Sequence, residues 1–142
     1  MLTSCNSDVL LSEKWEWKNQ EWVVDDPRMI TIESTDTTAL YSLDLEVEHA
    51  RSYPFRNIYI RTRTTFPSGK EITSVTSLEL TDALGHWAGD CGRKNCTLEL
   101  PLQSRFTFPE SGTYTWTIEP FMRMDTIRGI SSLTVTCRRK SL

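Results

Sequence analysis

Tyr41-Ser42-Leu43-Asp44-Leu45-Glu46-Val47-Glu48 alternates apolar and polar side chains without a break. In an extended chain successive Cβ atoms point to opposite faces, so period two puts Tyr41, Leu43, Leu45 and Val47 on one side and the polar residues on the other. A helix would scatter both sets around its circumference. The stretch is therefore predicted to be a strand with one side on a core and the other in water.

The same period recurs from Met29 onward. Ile58, Ile60 and Phe66 lie opposite Tyr59, Arg61 and Arg63, and Tyr114, Trp116 and Ile118 stand among threonines, with Trp116 expected in the core. Shorter candidates are Ile30 with Ile32, Leu78 with Leu80, Leu98 with Leu100 and Leu102, Phe106 with Phe108, and Leu133 with Val135 and Cys137. Turn signals separate them: Asp26-Pro27, residues 35–38, Gly85, residues 89–95, residues 109–112 and Gly129. Phe66-Pro67-Ser68-Gly69-Lys70 reads as a hairpin, because Pro stops one strand and Gly accepts positive φ before the next. A short helical turn is expected near residues 81–85. Many short strands with frequent turns predict an all-β fold, an antiparallel two-sheet β-sandwich of jelly-roll-like form with about eight or nine short strands. The pattern leaves strand order open.

A chain of 142 residues needs only one core. Residues 21–142 are expected to form that domain. Residues 6–20 lack clean periodicity and are expected to belong to an N-terminal arm (residues 1–20), with Trp15 and Trp17 facing the same way, either packed on the domain or near a bilayer interface. The net charge of -3, with basic residues spread along the chain, argues against nucleic acid, where phosphate neutralisation dominates binding. No stretch approaches the roughly 20 apolar residues of a membrane-spanning helix.

Leu2-Thr3-Ser4-Cys5 has the apolar and small residues of a lipobox, which makes Cys5 the expected lipidation site. Only Met1 and Leu2 stand where a charged start and an apolar run belong, so the leader is expected to be shortened. Acyl chains on Cys5 would anchor the protein to a membrane.

Four cysteines are present, and lipid on Cys5 leaves three. Cys91 and Cys96 bracket a loop and are expected to form a disulfide in an oxidising envelope, leaving Cys137 buried as a small hydrophobe. A zinc site from His86, Cys91, Cys96 and Cys137 lacks the usual ligand spacing, so no metal and no cofactor are expected. Neither His49, read as a strand-end residue, nor His86 belongs to a nucleophile or acid–base motif, and no enzyme activity is expected. Asp82 is expected to accept local backbone donors, with His86 within reach. The candidate interaction surface is Tyr53, Phe55, Asn57, Trp87 and Arg123, weighed against the simpler reading in which aromatics plug the end of the sandwich. Met122 is expected to cap the core while Arg123 meets a carboxylate.

Five blocks carry a family resemblance: Ser52-Tyr53-Pro54-Phe55-Arg56-Asn57-Ile58-Tyr59; Phe66-Pro67-Ser68-Gly69; Leu80-Thr81-Asp82-Ala83-Leu84-Gly85-His86-Trp87-Ala88-Gly89; Phe108-Pro109-Glu110-Ser111-Gly112-Thr113-Tyr114; and Ile118-Glu119, Met122-Arg123, Gly129-Ile130. In order and spacing they resemble the gliding-motility lipoprotein GldH family of Bacteroidetes. The cysteine-bracketed loop and Pro120 depart from its pattern. The resemblance implies a non-catalytic lipoprotein associated with gliding and type IX secretion. The expected partners are a membrane, through the lipid anchor, and envelope proteins of that machinery, with the domain at the outer membrane facing the periplasm. A carbohydrate-binding β-sandwich is the competing reading.

Overall fold

The computed structural model describes residues 8–140 and is an antiparallel two-sheet β-sandwich. One sheet runs in the order β1 (Val9–Glu16), β11 (Ile130–Lys140), β4 (Leu40–Ala50), β8 (Asn95–Phe106), β7 (Asp90–Cys91). The facing sheet is β3 (Arg28–Ser34), β9 (Gly112–Pro120), β5 (Asn57–Thr65), β6 (Glu71–Glu79). A two-stranded piece, β2 (Glu21–Val23) with β10 (Thr126–Arg128), completes the described strands. Eight are long and three have only two or three residues; those three escaped the sequence reading because so few residues show no period.

Strand β4 lies at the centre of its sheet, paired on both sides, and every residue that the alternation assigned to the core is buried. Leu43, Leu45 and Val47 are each sealed from solvent, worth roughly 1.5–3 kcal/mol apiece in area removed from water. Ile58, Ile60, Tyr114, Trp116 and Ile118 of the facing sheet join them in one core, with Leu133 and Val135 beside them on the neighbouring β11, as period two requires. Phe108 sits among Tyr41, Tyr114 and Trp116 and locks their rings together at centroid distances of 4.7 to 6.0 Å.

The expected hairpin forms: Phe66 N–H donates to Lys70 O at 2.8 Å and Gly69 takes φ 94°. Glu110 accepts from Ser68 N–H and Oγ at 2.9 and 3.1 Å, pinning the turn to the β8–β9 loop.

Two expectations need correction. The arm expected over residues 6–20 is, from Val9 to Glu16, a sheet strand paired with β11, and Trp15, Trp17 and Trp22 are all buried. Trp17 stacks on Trp22 at 4.5 Å, and Asp26 accepts both indole N–H groups, one on its carboxylate and one on its carbonyl. Polar residues at Ser12, Glu13 and Lys14 hid the strand, because an edge exposes more of its side chains than a centre. The turn near residues 81–85 is not helical. Asp82 Oδ1 accepts the N–H groups of Leu84 and His86 at 2.9 Å, and Thr81 bridges to Trp87. The short 3₁₀ turn lies instead at Lys18–Gln20.

Candidate functional site

An apolar groove opens on the outer face of the β3–β9–β5–β6 sheet, where the loop before β5 meets the loop after β9. It has a volume of about 680 Å³ and is lined by Phe55, Asn57, Tyr59, Val75, Phe121, Met122, Arg123 and Met124. The topology brings these together: β5 pairs with both β6 and β9, so Tyr59 lies between Val75's strand and the Phe121 loop. Phe121 N–H donates to Tyr59 O at 2.7 Å, and Tyr59 N–H meets Met122 Sδ at 3.3 Å, which holds the loop against the strand.

The groove keeps large apolar groups in water. Tyr59 is 45% exposed, Val75 51% and Phe121 47%. Arg61 lies 5.0 Å from the centre of the Phe121 ring while pairing with Glu119 at 2.8 Å, so the ring is held on one side by a neutralised cation. Met122 and Met124, partly buried, supply flexible, polarisable walls that adapt to a partner's shape.

Of the five residues expected on an interaction surface, Phe55, Asn57 and Arg123 line this groove. Tyr53 does not. It is buried, its hydroxyl donates to Asn57 O at 2.8 Å, and burial pushes its phenol up to about 12. Trp87 also lies outside the groove, half-buried with its ring 4.5 Å from that of His49. His49 in turn approaches Tyr53 at 6.1 Å, and Tyr53 meets Phe55 edge-on at 5.7 Å. A run of four rings thus leads from the Trp87 bridge through the end of the core to the groove wall. Plug and contact surface are parts of one assembly.

Arg123 has no carboxylate partner among the described residues, contrary to the expected pairing, and its guanidinium is left to the groove. Tyr59, Val75 and Phe121 were missed. Tyr59 had a usable signal, since an aromatic on the water side of a strand asks for cover; Phe121 had none, because its loop has no period.

Reactive groups do not converge. His49 stands at the end of β4, one residue before its last, as expected, but is fully buried there; burial lowers its pKa from 6.5, opposed by the bond between Nδ1 and Ala50 O. Asp82 and His86 meet at 3.5 Å on an exposed turn, and backbone donors, His86 N–H first, lower the Asp82 pKa. Cys91 and Cys96 are bonded to each other across the β7–β8 pair, and Cys137 is a free, buried thiol pushed up to about 12 by burial. Among the described residues no group of three or more His, Cys, Asp or Glu is placed to hold a metal. Cys5 lies outside the described residues. No described helix is long and apolar enough to cross a membrane.

Fold and site together define a small antiparallel β-sandwich that presents an apolar, methionine-walled groove. The profile described as GldH lipoprotein matches residues 10–136. The chain belongs to the GldH lipoprotein family. It is 27% identical over 114 residues to a gliding motility lipoprotein GldH homolog of Christiangramia forsetii, covering 80% of this chain and 70% of that protein. Among solved structures it is similar to the Yersinia pseudotuberculosis-derived mitogen, with a TM-score of 0.39 and 7% identity over 93% of this chain and 88% of that one. It is also similar to the xylanase 10B CBM22-1–GH10 modules of Clostridium thermocellum, with a TM-score of 0.43 and 10% identity over 93% of this chain and 29% of that one.

Proposed function

We propose that this gliding-motility lipoprotein is non-catalytic, is anchored by lipid on Cys5 to the periplasmic face of the outer membrane, and lends a protein-contact surface to the gliding and type IX secretion machinery. The observation that carries the contact role is the groove: four exposed apolar side chains and two methionines around Asn57 and Arg123. Contiguous exposed apolar surface costs solubility, and monomeric proteins keep it where something binds. A bare arginine at the rim of an apolar patch is the composition of a protein-recognition surface.

Carbohydrate binding is disfavoured by where the tryptophans went. Trp15, Trp17, Trp22 and Trp116 are buried, Trp87 is only partly exposed with His49 against its ring, and Tyr59 is the one exposed Tyr or Trp among the described residues, so no pair of coplanar rings is displayed for a sugar.

The test is mild crosslinking in native envelopes followed by recovery of the full-length lipidated protein. Wild type should bring down envelope proteins, and Phe121→Asp, which places a charge in the groove, should bring down fewer at equal expression. Recovery of none by wild type, or an identical set with Phe121→Asp, overturns the groove reading. Cys5→Ser should release the protein from the membrane fraction.

A further inference from the structure

We propose that β6 is a strand-acceptor edge, which takes up an extended segment of a partner protein whose neutral run is flanked at both ends by Lys or Arg. This deepens the protein-contact reading above and rests on it.

Strand β6 is the last in its sheet, and its nine residues pair with β5 without a register shift. Its other side is open. Phe66 with Lys70 and Leu80 with Arg56 are hydrogen-bonded pairs, and in an antiparallel ladder bonded pairs alternate. In that register the N–H and C=O groups of Thr73, Val75 and Ser77 therefore point away from β5, towards solvent.

Edges are normally blunted by charge, proline, irregularity or brevity. The other edges here obey that rule. Strand β1 carries Glu13, Lys14 and Glu16 and a register shift; β3 carries Arg28 and Glu33; β7 has two residues; and β8 beyond β7 holds Pro101 and Arg105 at φ 52°. Between Glu71 and Glu79, strand β6 has none of these: Ile-Thr-Ser-Val-Thr-Ser-Leu is uncharged, free of proline and regular. Ile72 is 46% exposed.

Both sides of an added strand find a seat. Beneath the edge, Ile72, Ser74 and Thr76 face Leu102 and Gln103 of the other sheet across a cleft of about 250 Å³. Above it, Val75 is the near wall of the apolar groove. A strand laid beside β6 would send alternate side chains into the cleft and towards the groove.

Charge selects the occupant. Glu71 and Glu79 close the two ends of the run on the same side of the sheet, and neither belongs to an ion pair among the described residues. The nearby cations do not change that: Arg61 is taken by Glu119, and Arg63 sits opposite Thr73 without pairing to either glutamate. A second copy is disfavoured, because antiparallel pairing centred on Val75 would set Glu71 against Glu79 at both ends, and like charges directly opposite repel. A segment with a basic residue at each end turns the same two positions into attraction.

The probe is a pair of synthetic peptides of the strand's length, alternating Thr and Val, with Lys at both ends or Glu at both ends, added to the full chain. With the Lys peptide, amide exchange should slow at Thr73, Val75 and Ser77 and stay unchanged at Ser74 and Thr76, and binding should exceed that of the Glu peptide by about tenfold. Val75→Pro removes an outward N–H, a change edges tolerate, and should abolish binding with the fold retained by circular dichroism. Glu71→Lys with Glu79→Lys should reverse the peptide preference, a result independent of whether the proline variant folds. Equal binding of both peptides, protection of the wrong amides, or sedimentation of wild type as a dimer that Val75→Pro dissolves would overturn the assignment. If the envelope partners survive Val75→Pro but not Phe121→Asp, the edge is wrong and the groove stands.

Discussion

The hydroxyl of Tyr53 donates to the carbonyl oxygen of Asn57 at 2.8 Å, closing the loop that carries Phe55 to the groove. Gly129 supports the same ring from behind: it takes φ 105°, and a Cβ there would come within 3.0 Å of Tyr53 Cδ1. Tyr53→Phe should keep the ring packing and take the donor from a part-buried carbonyl, lowering stability by about 0.5–1.5 kcal/mol. Gly129→Ala should cost at least as much through backbone strain and contact with the ring. Urea unfolding of the two variants checks both.

Buried and exposed apolar groups should separate cleanly. Ile60→Ala empties a sealed core site and should cost about 2–5 kcal/mol. Phe121→Ala removes a half-exposed ring and should change stability by less than about 1 kcal/mol while weakening partner recovery. Equal losses in thermal unfolding would mean that Phe121 is structural.

Reduction of Cys91–Cys96 should lower stability by about 2 kcal/mol on the chain-entropy account of a short loop, without unfolding the sandwich at room temperature. Melting with and without reductant, paired with a mass measurement of free thiols, reads the effect. Cys137 should stay unmodified until the protein unfolds, because it is buried and its thiol is pushed up to about 12.

Acid should act in two windows. Burial lowers the His49 pKa below its ordinary 6.5, so the unfolded chain takes up a proton before the folded one does. Stability is therefore highest with the imidazole neutral in both states and falls as pH drops from about 6.5 towards the folded value. Backbone bonds lower Asp36 and Asp82 below 3.8, and their contribution is present above 3.8 and lost as pH falls through the folded values. His49→Gln should flatten the upper window alone in a pH series of melting temperatures.

The strands legible in the sequence were those with one wet and one dry face. Strand β4 alternates because it spans the centre of a sheet with water on one side, and the local pattern records that geometry directly. Strand β1 did not read as a strand, and β6 read through the hairpin before it and its Leu78 end rather than through alternation, because edge residues are exposed on both faces and lose that pattern. The aromatic segment at Tyr53 and Phe55 was legible as important, but its division into plug and groove wall was not. That division depends on which ring meets His49 and which meets Phe121's loop, contacts between residues far apart in the chain.

By itself, then, the order of residues determined two facing sheets, the hairpin at Gly69 and the family, since side-chain period, turn chemistry and block spacing are local properties. Strand order, the groove joining β5, β6 and the loop after β9, the burial of the N-terminal tryptophans and the open edge at Glu71–Glu79 were decided only by tertiary structure. The physical reason is that exposure and pairing are set by what lies opposite, and no residue carries in its own neighbourhood the identity of the strand that will cover it.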